Sequence, residues 1–249
     1  MGLAFAQSDD PSKLLAEAKA DLSKQFQPTT DSAMAKLEQA NALWAKQNSK
    51  TPEYADSLVY MTLLMHHQRG FLSDSDATPL DEWKNRAAAN VEKALEICHE
   101  TPNIDPGLYA QALELKADLL GRGSAGSTFW DEAAEQRKKH IADLGNPAPS
   151  LLEQAHKMSE ATTPPILKVK LTPDYSQYAR LRLIKGNTLF SLVIDKNGNP
   201  QNIHLVKSLG YGLDEEAVEV VKHWHFTPAT KDGEPVAVRV NIDLAFHLR

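Results

Sequence analysis

Histidines are where a metal ion or a mobile proton would be held, and the sequence sets them side by side once and one residue apart once. In extended chain, His223-Trp224-His225 would put both imidazoles on one side and Trp224, with Phe226, on the other. Two imidazoles with no cysteine or carboxylate to complete the coordination make a poor zinc site, so Trp224 and Phe226 read as core. His66-His67 sits in a helical pattern, where adjacent rings diverge, and His99-Glu100 lacks the second histidine of a helical zinc motif. Asp195-x-Asn197-x-Asn199 has the opening of a calcium loop, but its glycine and terminal glutamate are misplaced, and it reads as a hairpin turn. Gly210-x-Gly212 lacks the Gly-Lys-Ser/Thr of a phosphate loop, and Ser208 lacks a nucleophile elbow. Cys98 falls on the apolar side of a helix, which predicts a buried, inert thiol. Asp214 and Glu215 suit the positive start of a helix better than acid–base work. No catalytic constellation emerges, and the expectation is a protein without enzymatic activity, cofactor or metal.

The chemistry must therefore lie in binding. The 249 residues carry 33 acidic and 27 basic side chains, a net charge of -6, so a dedicated nucleic-acid binder is not expected. The single cysteine rules out an internal disulfide and a thiolate metal cluster, and no stretch approaches eighteen apolar residues. Ala4-Phe5-Ala6 before Gln7 fits the end of a secretory signal peptide, while the basic and longer apolar parts of such a signal are missing. Residues 1–7 are thus expected to be a signal remnant or a disordered start, and the protein to be exported.

Two grammars follow one another along the chain. Over residues 8–145 apolar side chains recur every three or four positions, as in Leu14-Leu15-Ala18-Leu22-Phe26 and Leu80-Trp83-Ala87-Val91-Ala94-Cys98, with Thr78-Pro79 opening the latter. Each stripe needs a partner, which predicts antiparallel helical hairpins. Tyr54-Ala55-x-x-Leu58 and Tyr109-Ala110-x-x-Leu113 each precede an Ala-rich helix bearing Trp83 or Trp130. This resembles degenerate tetratricopeptide-type helix pairs, although the copies are 55 residues apart and an irregular helical bundle would also account for them. Residues 146–165 read as a short helix (150–159) and a linker. From 166 to 249 the pattern is mixed: a helix at 174–183, strands at 187–195 and 202–208 around the Asn197-Gly198 turn, and a helix over 213–221. Extended chain through Trp224 and Phe226 and a turn at 231–234 lead to a last strand at 236–248. In that strand Val238, Val240, Ile242, Leu244 and Phe246 alternate with Arg239, Asn241, Asp243 and His247, so one face is covered and the other wetter. The fold class expected is α+β, with helices on one face of a small, mainly antiparallel sheet.

The order of words in this half resembles the C-terminal domain of TonB-type energy transducers. The resemblance rests on Pro173-x-Tyr175-x-x-x-Ala179-Arg180, Gly186, Val193-Ile194-Asp195-x-x-Gly198-x-Pro200 and Val206-x-Ser208-x-Gly210. It continues through Leu213-Asp214-x-x-Ala217, Trp224-x-Phe226-x-Pro228-Ala229, Asp232-Gly233-x-Pro235-Val236 and Phe246-x-Leu248. It implies a periplasmic domain of Gram-negative cells that binds a short extended peptide of outer-membrane receptors on the edge of its last strand. The membrane helix and Pro-rich spacer of the full transducers have no counterpart in these 249 residues, where a helical domain stands instead.

A last strand with an open edge offers N–H and C=O groups that an incoming strand can satisfy. Arg239, Asn241, Asp243 and His247 are the candidate polar residues of that docking edge. Three uses of it stay open: an extended segment of an outer-membrane or periplasmic protein, pairing with a second copy of the chain, or cover by the helical half. The functions expected are a periplasmic peptide-binding adaptor, with a second protein partner on the helical domain, a component of TonB-dependent transport, or a structural or regulatory homodimer.

Overall fold

The computed structural model describes residues 10–23, 30–71, 80–121 and 123–247. The expected signal remnant at 1–7 lies outside them, as do Phe26, Thr78, Pro79 and Leu248 from the expected elements. The chain divides into two compact units, Met1–Trp130 and Asp131–Arg249.

The first unit is helical. It holds α1 (Pro11–Ser23), α2 (Thr30–Lys46), α3 (Pro52–Phe71), α4 (Leu80–Glu100), α5 (Pro106–Leu120) and the start of α6 (Ser124–Leu144). The apolar spacing explains the burial: α4 buries Ala87, Val91, Ala94, Leu95 and Cys98 on one stripe. α5 starts where Asp105 accepts the Gly107 N–H at 2.7 Å, with Pro106 in the first turn, where its missing N–H costs nothing. Each helix from α1 to α4 packs on the next, and α1 also meets α3 while α3 meets α5. The two Tyr-Ala-x-x-Leu words occupy equivalent buried positions, with Ala55 and Ala110 fully buried where helices close on one another.

The second unit contains the rest of α6 and then α7 (Pro149–Gln154), β1 (His156–Lys157), a 3-10 turn (Met158–Glu160), β2 (Ile166–Val169) and α8 (Gln177–Arg182). After these come β3 (Gly186–Ile194), β4 (Pro200–Lys207), α9 (Leu213–Val221), β5 (His225–Thr227), β6 (Ala229–Lys231), β7 (Glu234–Val236) and β8 (Val238–Phe246). The main sheet has the order β1-β8-β3-β4. β8 and β4 run antiparallel to β3, and β1 runs parallel to β8. Two small antiparallel ladders, β2-β5 and β6-β7, complete an α+β unit. α9 packs on β3 and β4, burying Leu213, Ala217, Val218 and Val221 beside Phe190, Leu192, Ile203 and Leu205.

The helix expected at 150–159 ends at Gln154, for a visible reason. To continue it, the His156 N–H would have to reach the Leu152 carbonyl. That N–H instead donates to the Ala237 carbonyl at 2.9 Å, and the Leu152 carbonyl accepts from the Arg239 guanidinium at 2.5 Å. The last strand is also divided: Val236 belongs to the β6-β7 hairpin, and β8 begins at Val238.

Candidate functional site

The candidate site is the outer edge of β8, and it is built from the turn that starts the sheet. Asp195 accepts the N–H groups of Asn197 and Asn199, both at 2.8 Å, which folds the chain back between β3 and β4. Gly198 adopts φ +85°, and a Cβ there would lie 1.9 Å from the Phe226 carbonyl oxygen. The closeness is used: the Phe226 N–H donates to the Gly198 carbonyl at 2.9 Å, docking the turn on β5. Trp224 and Phe226 are buried as expected, and the Trp224 indole N–H donates to the Leu171 carbonyl at 2.9 Å. His223 closes α9 through its N–H to Val220, and His225 is exposed beside Asn199. Among the described residues no group of three metal-ligating side chains exists.

Asp214 has a larger part than a charge at a helix start. It is fully buried and accepts the Ser208 hydroxyl at 2.6 Å, the Leu209 N–H at 3.0 Å and the Gly210 N–H at 2.9 Å. Ser208, Gly210 and Asp214 are thus one stapled loop leading from β4 into α9. Arg137 of α6 faces this staple, fully buried, with its Nε 4.0 Å from Asp214 and a terminal nitrogen bonded to Glu215. The sequence reading assigned Arg137 no role, although it shares a helical stripe with Ala133 and Ile141. A cation in the middle of an apolar stripe was the signal.

β8 itself lies in register with β3 from Gly186↔Phe246 to Ile194↔Val238. Val238, Leu244 and Phe246 are buried, Val240 and Ile242 half-buried, and Arg239, Asn241, Asp243 and Ala245 exposed. In a strand the N–H and C=O of one residue point to the same side, and successive residues alternate. Since the Ala237 carbonyl accepts from His156 on the outer side, the backbone groups of Arg239, Asn241, Asp243 and Ala245 point there too. β1 pairs only as His156↔Val238 and Lys157↔Arg239, so among the described residues no strand lies on the outer side of β8 from Val240 onward.

The four polar candidates are placed differently. Arg239 is bonded to Leu152 at the end of α7, where a cation suits the carbonyl-rich helix terminus. Asp243 accepts from the Asn187 side chain at 2.6 Å. Asn241 is exposed on the strand, and His247 is exposed just past its end. The sequence reading missed β1, because two residues carry no periodicity.

The second unit is where known proteins match. Residues 172–248 match the family model described as Gram-negative bacterial TonB protein C-terminal. The curated Protein TonB of Vibrio cholerae is 36% identical over 86 residues, covering 34% of this chain and 35% of that protein. Protein TonB of Xanthomonas campestris pv. campestris (strain B100) is 30% identical over 77 residues, covering 30% of this chain and 34% of that protein. The chain thus spans about a third of the length of these relatives. A solution structure of the Pseudomonas aeruginosa TonB C-terminal domain is 20% identical with a TM-score of 0.31, over 38% of this chain and 94% of that one. Residues 172–248 are thereby identified as a TonB C-terminal domain, the stretch that holds the Asp214 staple and the β8 edge.

Proposed function

We propose that this chain is a non-enzymatic protein-interaction module of the Gram-negative periplasm. Its C-terminal domain binds an extended segment of an outer-membrane or periplasmic protein by adding it as a strand to β8. The observation that carries this reading is the outer edge of β8 from Val240 to Phe246, which has no strand beside it among the described residues. Main-chain bonds to Asn241, Asp243 and Ala245 would contribute about 0.5–1.5 kcal/mol each. The half-buried Val240 and Ile242 would be covered further, and side chains of Asn241, Asp243 and His247 would select the sequence. The helical unit would serve as a second protein-binding surface.

A second reading, a component of TonB-dependent energy transduction at the outer membrane, is favoured by the curated relatives, both named Protein TonB. No helix among the described residues is long and apolar enough to cross a membrane. The experiment is an NMR titration of the full chain with a panel of extended peptides, some patterned on receptor segments and some random. Shifts confined to β8 and its neighbours support strand addition. Shifts that grow with protein concentration in the absence of peptide assign the edge to a homodimer. No response of β8 to any peptide ends the peptide-binding reading.

A further inference from the structure

The β8 edge is open along most of its length but not at its start, and its neighbour there is the chain's own connector. We propose that residues 155–160 are a built-in occupant of the docking edge, which an extended peptide must displace to pair along the whole of β8. The inference rests on the peptide-binding reading above.

The geometry states the conflict. A strand covering β8 from Val238 to Phe246 needs the outward groups of Ala237 and Arg239, and His156 holds the first of these. β1 runs parallel to β8 for two residues, and the 3-10 turn at Met158–Glu160 then ends the pairing. A peptide reaching the first residues of the strand would collide with this segment.

The way the connector is fastened makes displacement feasible. Its upstream end is tied to β4: the Ile203 N–H donates to the Gly145 carbonyl at 2.7 Å and the Asn202 N–H to the Asn146 carbonyl at 2.9 Å. The Asn202 side chain grips the Ala148 backbone at both its N–H (2.6 Å) and its carbonyl (2.5 Å). Its downstream end is tied to β6, where the Thr162 N–H and Thr163 N–H both reach the Thr230 carbonyl, at 2.7 and 3.1 Å. Between these ties neither α7 nor the 3-10 turn buries a residue, and Lys157 is exposed. The middle is held by hydrogen bonds at the sheet edge without core packing, which is the profile of a segment that opens locally at low cost. Tethering keeps it close to its site, so it competes as an intramolecular ligand at high effective concentration.

The test compares the full chain with His156→Pro. Proline removes the N–H that bonds Ala237, and Ala155 already has φ -73° and ψ 129°, the conformation a residue before proline favours. The probe is a synthetic peptide with the sequence of residues 154–161, added in trans and followed by NMR shifts of β8. An edge left free about a tenth of the time binds about tenfold more weakly than one always free, so the variant is expected to bind the peptide about tenfold more tightly. Equal affinity in both proteins overturns the occupant while leaving the docking reading intact. Binding by neither overturns the occupant, and the docking reading is then decided by the receptor-patterned peptides of the titration above. Should the variant fail to fold, hydrogen exchange in the wild-type chain decides. Faster exchange of the His156 amide at saturating peptide supports displacement, and unchanged protection with shifts confined to 241–246 overturns it.

Discussion

The two outer edges of the sheet are covered by the same connector in opposite ways. At β4 the cover is specific: backbone bonds to Asn202 and Ile203 and a side-chain grip on Ala148. At β8 it is two residues of parallel pairing with little burial. Both solve the problem of an exposed strand edge, which invites pairing with other chains. The difference teaches that the connector is gripped by side chain and backbone at its β4 end and only paired at its β8 end, as expected if the β8 end is the one that opens.

Arg137→Met should break the comparison most severely. The pair it makes with Asp214 and Glu215 is buried, and removing one partner leaves carboxylates without their cation, a loss of about 3–5 kcal/mol. Hydrogen exchange of the β4 amides in the full chain reads it: Ile203 is expected to lose protection by that amount. If Ile203 keeps its protection, α6 does not hold the β4 edge and the two covers are alike. Asn202→Ala comes next. It deletes two hydrogen bonds to Ala148, at about 1 kcal/mol each. It also puts alanine at φ 49°, a left-handed conformation that asparagine tolerates better, for about 1–2 kcal/mol more. The expected total is about 3 kcal/mol at the β4 edge, with no change in exchange at β8.

How far these features were readable in the sequence follows from their length. β8 announced itself because nine residues of alternation cannot be mistaken for a helix, and the Asp195-Gly198 turn because few residue types make that geometry. The helices of the first unit were legible from stripes such as that of α4. β1 was not, since a two-residue strand exists only because Ala237 offers it a carbonyl. The same tertiary contact shortened α7, overriding a local pattern that would have run on. Asp214 looked like a helix-start charge because sequence shows the helix but not the loop folded back onto its carboxylate. The candidates Arg239, Asn241, Asp243 and His247 came from alternation alone, which cannot show that Arg239 is engaged with Leu152.

His156→Pro sharpens the comparison by contrast with the β4 variants. It removes one edge hydrogen bond from a segment without buried residues, so the stability change is expected below about 1 kcal/mol. Thermal unfolding of the full chain should shift little while the exchange of the Arg239 amide accelerates. A loss as large as that of Asn202→Ala would show that the β8 cover is structural.

The smallest effect is expected from pH. The Glu160 carboxylate lies 3.0 Å from Nδ1 of His156, and that hydrogen bond, with further help from the Lys157 backbone, holds its pKa below the usual carboxylate value of 4.5. A carboxylate whose pKa falls on folding stabilises the folded arrangement above the unfolded value, and the contribution disappears as pH drops through the lowered one. Acidification through the lowered value should therefore loosen the end of β1, with shifts at Lys157 and Glu160. Asn202 and Ile203, whose ties to the connector contain no titrating group, should stay still. Glu160→Gln should abolish the acid transition at Lys157 without altering β4. A transition that moves both edges together would mean that the connector responds as one rigid strap, in which case the β8 end could not be lifted while the β4 end stays fastened.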